Sequence, residues 1–166
     1  MLFRSGRIIL KNRNRTFGSL DCIRIQYWNV LRSIEAKMEG KDEPMKYQST
    51  ITGLGPDALA FLSDADMNFI IIFNEDAPPE LAELSVLHTK AELTEEPAAG
   101  DTMTICGKEF TISAVGSEAP HTLKELGHCT LSFKGGTEPE RPGCIMLEGS
   151  ALLPEDLKAG GTIEIR

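Results

Sequence analysis

Basic residues are in short supply: 17 Lys and Arg face 25 Asp and Glu, a net charge of -8 over 166 residues. That balance argues against DNA or RNA as a partner, because a nucleic-acid surface needs clustered Lys and Arg to displace condensed counterions. Cysteine is equally scarce. Cys22, Cys106, Cys129 and Cys144 lie far apart without a CxxC, so neither a zinc module nor a disulfide scaffold is signalled, and a reducing cytoplasm fits best. Long hydrophobic runs are missing as well. The longest surrounds Phe69-Ile70-Ile71-Ile72-Phe73, far too short to span a bilayer. At the N-terminus Arg4 and Arg7 precede only Ile8-Ile9-Leu10 before Lys11, which leaves out the apolar centre of an export signal. What remains is the expectation of one cytoplasmic domain, large enough to bury a core without a metal or disulfide staple.

The charge that is present is unevenly spread. Residues 1–44 hold nine basic and five acidic side chains, whereas the rest of the chain holds eight basic and twenty acidic. Such a swing predicts a boundary near Glu43-Pro44-Met45. Residues 1–44 are expected to be a basic N-terminal extension, disordered or a mis-assigned start ahead of Met45. Within it Tyr27, Val30, Leu31, Ile34 and Met38 line one face of a short amphipathic helix, which could alternatively lie on an anionic membrane or dock on a partner.

Residues 45–166 read as mainly β. Tyr47, Ser49 and Ile51 alternate with polar residues up to Gly53 and Gly55, predicting a first strand. A helix of about two turns is expected after Pro56, then a buried strand from Met67 to Phe73 and a short helical turn after Asp76-Ala77-Pro78-Pro79. Extended structure is expected from Leu84 to Leu93. Thr102–Cys106 and Glu109–Val115 read as a hairpin turning at Gly107-Lys108, and Pro120–Leu126 as a helix stopped by Gly127. Strands at Cys129–Phe133, Cys144–Leu147 and Thr162–Ile165 complete a closed or partly closed β-barrel of short strands with two or three short helices.

Few residues here can carry chemistry. Gly53-Leu54-Gly55-Pro56-Asp57-Ala58 imitates a dinucleotide fingerprint, but Pro56 removes an amide donor from the phosphate turn and no run of alternating strands and long helices follows. Only three histidines exist: His88, His121 and His128. Alternation along Leu84–Leu93 places His88 on one face with Val86, Lys90 and Glu92, read as an outward face. An exposed imidazole beside an ammonium suits a phosphoryl acceptor, since the neutral ring nitrogen attacks and Lys90 offsets the incoming charge. His128, directly after Gly127, either caps the helix C-terminus or donates to a phosphate on His88. A zinc ion held by His88, His128 and Cys129 fits poorly, because adjacent strand residues point to opposite faces. His121 reads as a surface residue.

Several blocks occur in order: Tyr47-Gln48-Ser49-Thr50-Ile51-Thr52-Gly53-Leu54-Gly55, Phe73 through Pro78 to Val86-Leu87-His88, Ala114-Val115-Gly116-Ser117, Leu123 to His128, and Glu138 through Pro142-Gly143. Together they resemble the glucitol/sorbitol-specific enzyme IIA component of the bacterial phosphoenolpyruvate-dependent sugar phosphotransferase system. The resemblance covers essentially all of 45–166 and implies a cytoplasmic, barrel-like phosphocarrier without cofactor or metal. Its histidine, here His88, would take a phosphoryl group from HPr and pass it to the IIB domain of the membrane-bound IIB/IIC transporter, the one route to the membrane. Thr89, Lys90 and His128 would help to hold the phosphate. Readings from other classes are a non-catalytic regulatory or binding barrel that senses sugar supply, and a small metal-binding β protein.

Overall fold

A computed structural model describes residues 43–62 and 64–166. The amphipathic helix expected in the N-terminal extension lies outside the described residues. In the domain, eight strands form in chain order: β1 Tyr47–Leu54, β2 Phe69–Asn74, β3 Val86–His88, β4 Thr102–Ile105, β5 Lys108–Val115, β6 Cys129–Ser132, β7 Cys144–Gly149 and β8 Thr162–Ile165. Two short helices, α1 Pro79–Ala82 and α2 Ala119–Leu126, and a 3-10 turn at Pro154–Asp156 join them.

The strands close into a barrel in the order β1-β3-β2-β6-β7-β5-β4-β8. Closure leaves no sheet edge to be capped. Two neighbouring pairs, β2/β3 and β6/β7, run parallel and the remainder antiparallel. Parallel neighbours cannot be joined by a tight hairpin, so residues 75–85 with α1 carry the chain from the end of β2 back to the start of β3.

Period-2 patterning produces the core directly. In β1, Tyr47, Ser49 and Ile51 are buried while Gln48 and Thr50 are exposed. In β5, Phe110, Ile112 and Ala114 point inward. Tyr47, Ile51, Phe110 and Ile112 meet Ile70, Ile72, Met103, Leu131, Ile145, Leu147, Ile163 and Ile165 in one continuous cluster, while Ala114 packs with Cys144 and Met146 in a second. Helix α2 adds Ala119 and Leu123 to the first cluster.

Three local expectations change. Pro56–Leu62 is not a helix but a run of turns, with Ala58, Ala60 and Leu62 each bonding three residues back. The start of the segment is tied elsewhere: the Gly55 N–H donates to the Ser85 carbonyl and the Asp57 N–H to the Glu83 carbonyl, and a Cβ at Gly55 would come within 2.1 Å of the Ala82 carbonyl oxygen, so the two backbones touch. That close approach, not phosphate binding, is what the glycine provides. The hairpin turns at Cys106-Gly107, both at positive φ, one residue earlier than the sequence suggests. Extended pairing from Leu84 to Leu93 shrinks to the three residues of β3.

Leu131 sits in the middle of this arrangement, opposite Ile70 on one side and Ile145 on the other, and is fully buried. Leu131→Ala is expected to cost about 2–5 kcal/mol, the range for a buried leucine whose cavity cannot collapse. Urea unfolding checks it: the midpoint falls while the slope stays unchanged.

Candidate functional site

His88 is the last residue of β3, and pairing places Ile51 of β1 on one side of it and Asn74 of β2 on the other. Directly paired residues share a face of the sheet, so these three side chains form one row. The row faces inward. His88 is 0% exposed, as is Val86 on the same face. This corrects the expectation of an outward imidazole. The alternation linking Val86 to His88 holds, but the ladder stops at His88, so the polar Lys90 and Glu92 do not report which way the ring points.

The ring is held at both nitrogens. Nδ1 lies 2.9 Å from the carbonyl oxygen of Thr89 and 3.5 Å from the Tyr47 hydroxyl. Nε2 lies 2.9 Å from the carbonyl oxygen of Gly127. Carbonyls only accept, and a neutral imidazole has a single N–H, so the neutral ring satisfies one of these oxygens and leaves the other facing a lone pair. Burial pushes the Tyr47 hydroxyl up from its usual range.

Gly127 is the cover of the site. It follows α2 in a left-handed conformation, φ 60°, and the helix end is closed by Gly127 N–H donating to Leu123 and His128 N–H donating to Thr122. A Cβ at Gly127 would come within 2.1 Å of Asn74 Oδ1 and 2.7 Å of His88 Cε1. The α2–β6 corner therefore lies directly on the imidazole. Outside it, a surface depression of about 360 Å³ is lined by Phe73, Asn74, Lys90, Leu126 and the Asp76 and Leu81 side chains.

The other expected site residues fall around this corner in altered roles. Thr89 gives its carbonyl, not its hydroxyl, to the ring; the hydroxyl accepts from the Thr50 backbone N–H at 3.1 Å. Lys90 stands on the rim of the depression, exposed and paired with Asp76. That ammonium holds the Asp76 carboxyl below its usual range. His128 is half-buried and packs against Phe73 with ring centroids 4.9 Å apart and ring planes tilted by 38°. It does not cap α2 with its ring, and its Nδ1 is buried without a hydrogen-bond partner. His121 lies exposed on α2, away from this row. Sequence reasoning missed Asn74, whose side chain is only 7% exposed; a polar residue ending an apolar run is its only trace in the sequence.

Residues 46–164 match the family of PTS system glucitol/sorbitol-specific IIA components. The chain belongs to this family. It is 36% identical over 118 residues to the PTS system glucitol/sorbitol-specific EIIA components of Escherichia coli strain K12 and of Shigella flexneri, covering 71% of this chain and 92% of each relative. Its fold resembles the crystal structure of a PTS system IIA component from Enterococcus faecalis V583, with a TM-score of 0.57 and 28% identity over 70% of this chain and 96% of that one. The mainly β, barrel-like architecture expected for a glucitol/sorbitol IIA domain is thus present.

Among the described residues no three His, Cys, Asp or Glu side chains converge as metal ligands, and no helix is long and apolar enough to cross a membrane. Cys129, considered above as a zinc ligand, is buried within the barrel, and desolvation pushes its thiol far above the usual range. Alkylation at pH 8 is expected to leave Cys129 unmodified in the folded protein and to modify it in urea; mass mapping of the labelled peptide reads the difference.

Gly127→Ala is expected to destabilise the domain by more than about 1 kcal/mol, from left-handed strain alone, with the clash at Asn74 added. The check is a drop in Tm well beyond that of Gly143→Ala, where φ is not left-handed and a Cβ meets nothing within 4 Å.

Proposed function

We propose that this domain is the phosphocarrier of a glucitol/sorbitol phosphotransferase system, working in the cytoplasm and using His88 as its acceptor. The observation that carries this reading is the arrangement at Nε2. It is the ring nitrogen on the side of the α2–β6 corner, covered by a single backbone carbonyl at 2.9 Å, while Nδ1 is turned toward Thr89 and Tyr47 inside the barrel. Family membership supplies the class of reaction, and the resemblance that places the family's acceptor on His88 supplies the residue.

In the reaction, Nδ1–H donates to the Thr89 carbonyl, which leaves the lone pair on Nε2. When the Gly127 carbonyl moves aside, that lone pair forms an N–P bond to the phosphoryl group of phospho-HPr. The donor's own N–P bond breaks and its electron pair returns to the donor imidazole; the positive charge that the donor ring loses is the one that the His88 ring gains while it keeps Nδ1–H, so no proton is consumed. The reverse sense delivers the group to a cysteine thiolate of the transporter's IIB domain, where an S–P bond replaces the N–P bond. The phosphoryl group changes hands at equal oxidation level, and what the domain must supply is position and exclusion of water.

Burial of His88 adds a requirement that an exposed ring would not have. The closed corner shields the imidazole, so both partners have to meet an opened form. An apolar rim is available for them: Leu81 and Leu126 are 47% and 48% exposed at the depression. Half-buried His128, next to Gly127 in the chain, moves with the corner and is placed to donate to a phosphoryl oxygen once the group is seated.

Incubation with phosphoenolpyruvate, enzyme I and HPr is expected to add the acid-labile mass of one phosphoryl group, on the peptide that contains His88. Because the ring is buried, His88→Ala also opens a cavity; His88→Gln keeps a donor for one carbonyl and is the better variant. Both are expected to take up no phosphate, and His128→Gln to slow uptake without abolishing it. Phosphate found on His121, or full uptake by His88→Gln, would overturn the assignment.

A further inference from the structure

Asn74 is the one uncharged polar side chain in the row beside His88 whose chemistry the closed structure leaves unused. It is 7% exposed, yet Oδ1 is buried without a hydrogen-bond partner. Its backbone pairs with His88, its carboxamide lies against the Gly127 backbone, and it lines the depression outside the corner. A buried carboxamide left unsatisfied destabilises a fold, and native structures hold few such groups without a use for them.

We propose that Asn74 binds the phosphoryl oxygens on His88, as a hydrogen-bond donor built into the barrel rim; this rests on the phosphocarrier reading above. Asn74 and His88 end adjacent parallel strands on the same face, so neither has to leave the sheet for the two to act together. Opening the corner removes the Gly127 carbonyl from Nε2 and frees the carboxamide in the same movement, because Gly127 touches both. The amide then turns its NH₂ toward the phosphoryl group. A neutral donor suits this place: the nearest cation on the rim, Lys90, is already paired with Asp76. His128, whose Nδ1 also lacks a partner, approaches from the β6 side, so the phosphoryl oxygens would accept from the Asn74 NH₂ and from a His128 ring N–H, while the same turn of the amide carries Oδ1, an acceptor, toward the open depression.

The test compares the wild-type chain with Asn74→Ala and Asn74→Asp at pH 8, following phosphate uptake from phosphoenolpyruvate, enzyme I and HPr, with thermal unfolding of each. Asn74→Ala is expected to slow uptake about ten- to a hundredfold, the size of one charge-assisted hydrogen bond, with Tm little changed because it also deletes an unsatisfied atom. Asn74→Asp keeps the shape but sets a carboxylate against the phosphoryl group, and is expected to be slower still. A packing role predicts the opposite order, with the isosteric aspartate close to wild type and alanine worst. That order, or wild-type rates in both variants, overturns the proposal while leaving the carrier reading intact. A wild-type chain that takes up no phosphoryl group, or takes it at a residue other than His88, overturns the carrier reading and this inference with it.

Discussion

A neutral imidazole has one proton to donate, and the barrel presents His88 with two carbonyl oxygens, each 2.9 Å from a ring nitrogen. Much of the site's architecture follows from that mismatch. The Thr89 oxygen belongs to the residue next in the chain, which is held just beyond the ladder by two bonds with Thr50, one from the Thr89 N–H and one to its hydroxyl, so it cannot withdraw without losing both. The Gly127 oxygen belongs to a helix end held by two turn bonds. If one of the two must yield a lone pair for chemistry, it is the second, since the end of a two-turn helix opens locally at far lower cost than a barrel strand separates. On that reading the site is asymmetric: one nitrogen would be anchored and the other gated.

A gate of this kind trades encounter rate for protection. A binding-competent form populated at one part in a hundred lowers the apparent affinity for a partner a hundredfold, a loss that a partner recovers by binding the open corner. The exposed Leu81 and Leu126 at the rim provide apolar area for that purpose. Between encounters the same closure would keep water and solutes off the unloaded ring, with the Gly127 carbonyl against Nε2. Burial of the ring and a carrier's duty are then compatible, provided that the cover is the movable corner and not the barrel wall.

Much of the barrel could be read from residue order, because its signals are local. The alternation at Tyr47, Ser49 and Ile51, the apolar run ending in Phe73, and Gly127 after a short helix each fix an element without reference to the rest of the chain. The face of His88 could not be read in that way. Three residues of β3 are too few to show a period, and its inward direction is set by two neighbours distant in sequence, Ile51 and Asn74. Thr89 and Lys90 were legible as neighbours of the histidine but not by function, since whether a hydroxyl or an ammonium is free depends on Thr50 and Asp76, which no local pattern reveals. Asn74 was invisible for the same reason: its importance comes from a parallel register, which residue order does not announce.

The electrostatics of the corner bear on direction as well as on binding. Nε2 faces the C-terminal end of α2, where the helix dipole places partial negative charge, and residues 45–166 carry eight basic against twenty acidic side chains. Both features raise the energy of a phosphoryl group seated there, and among the described residues neither is offset by an unpaired cation at the rim, since Lys90 is paired with Asp76. Neutral donors such as Asn74 and His128 can hold the group's oxygens without cancelling its charge. For an enzyme that stores a phosphate this would be a poor design. For a carrier it is the favourable one, because a group bound by geometry rather than by counter-charge leaves easily once a better-charged partner comes within reach.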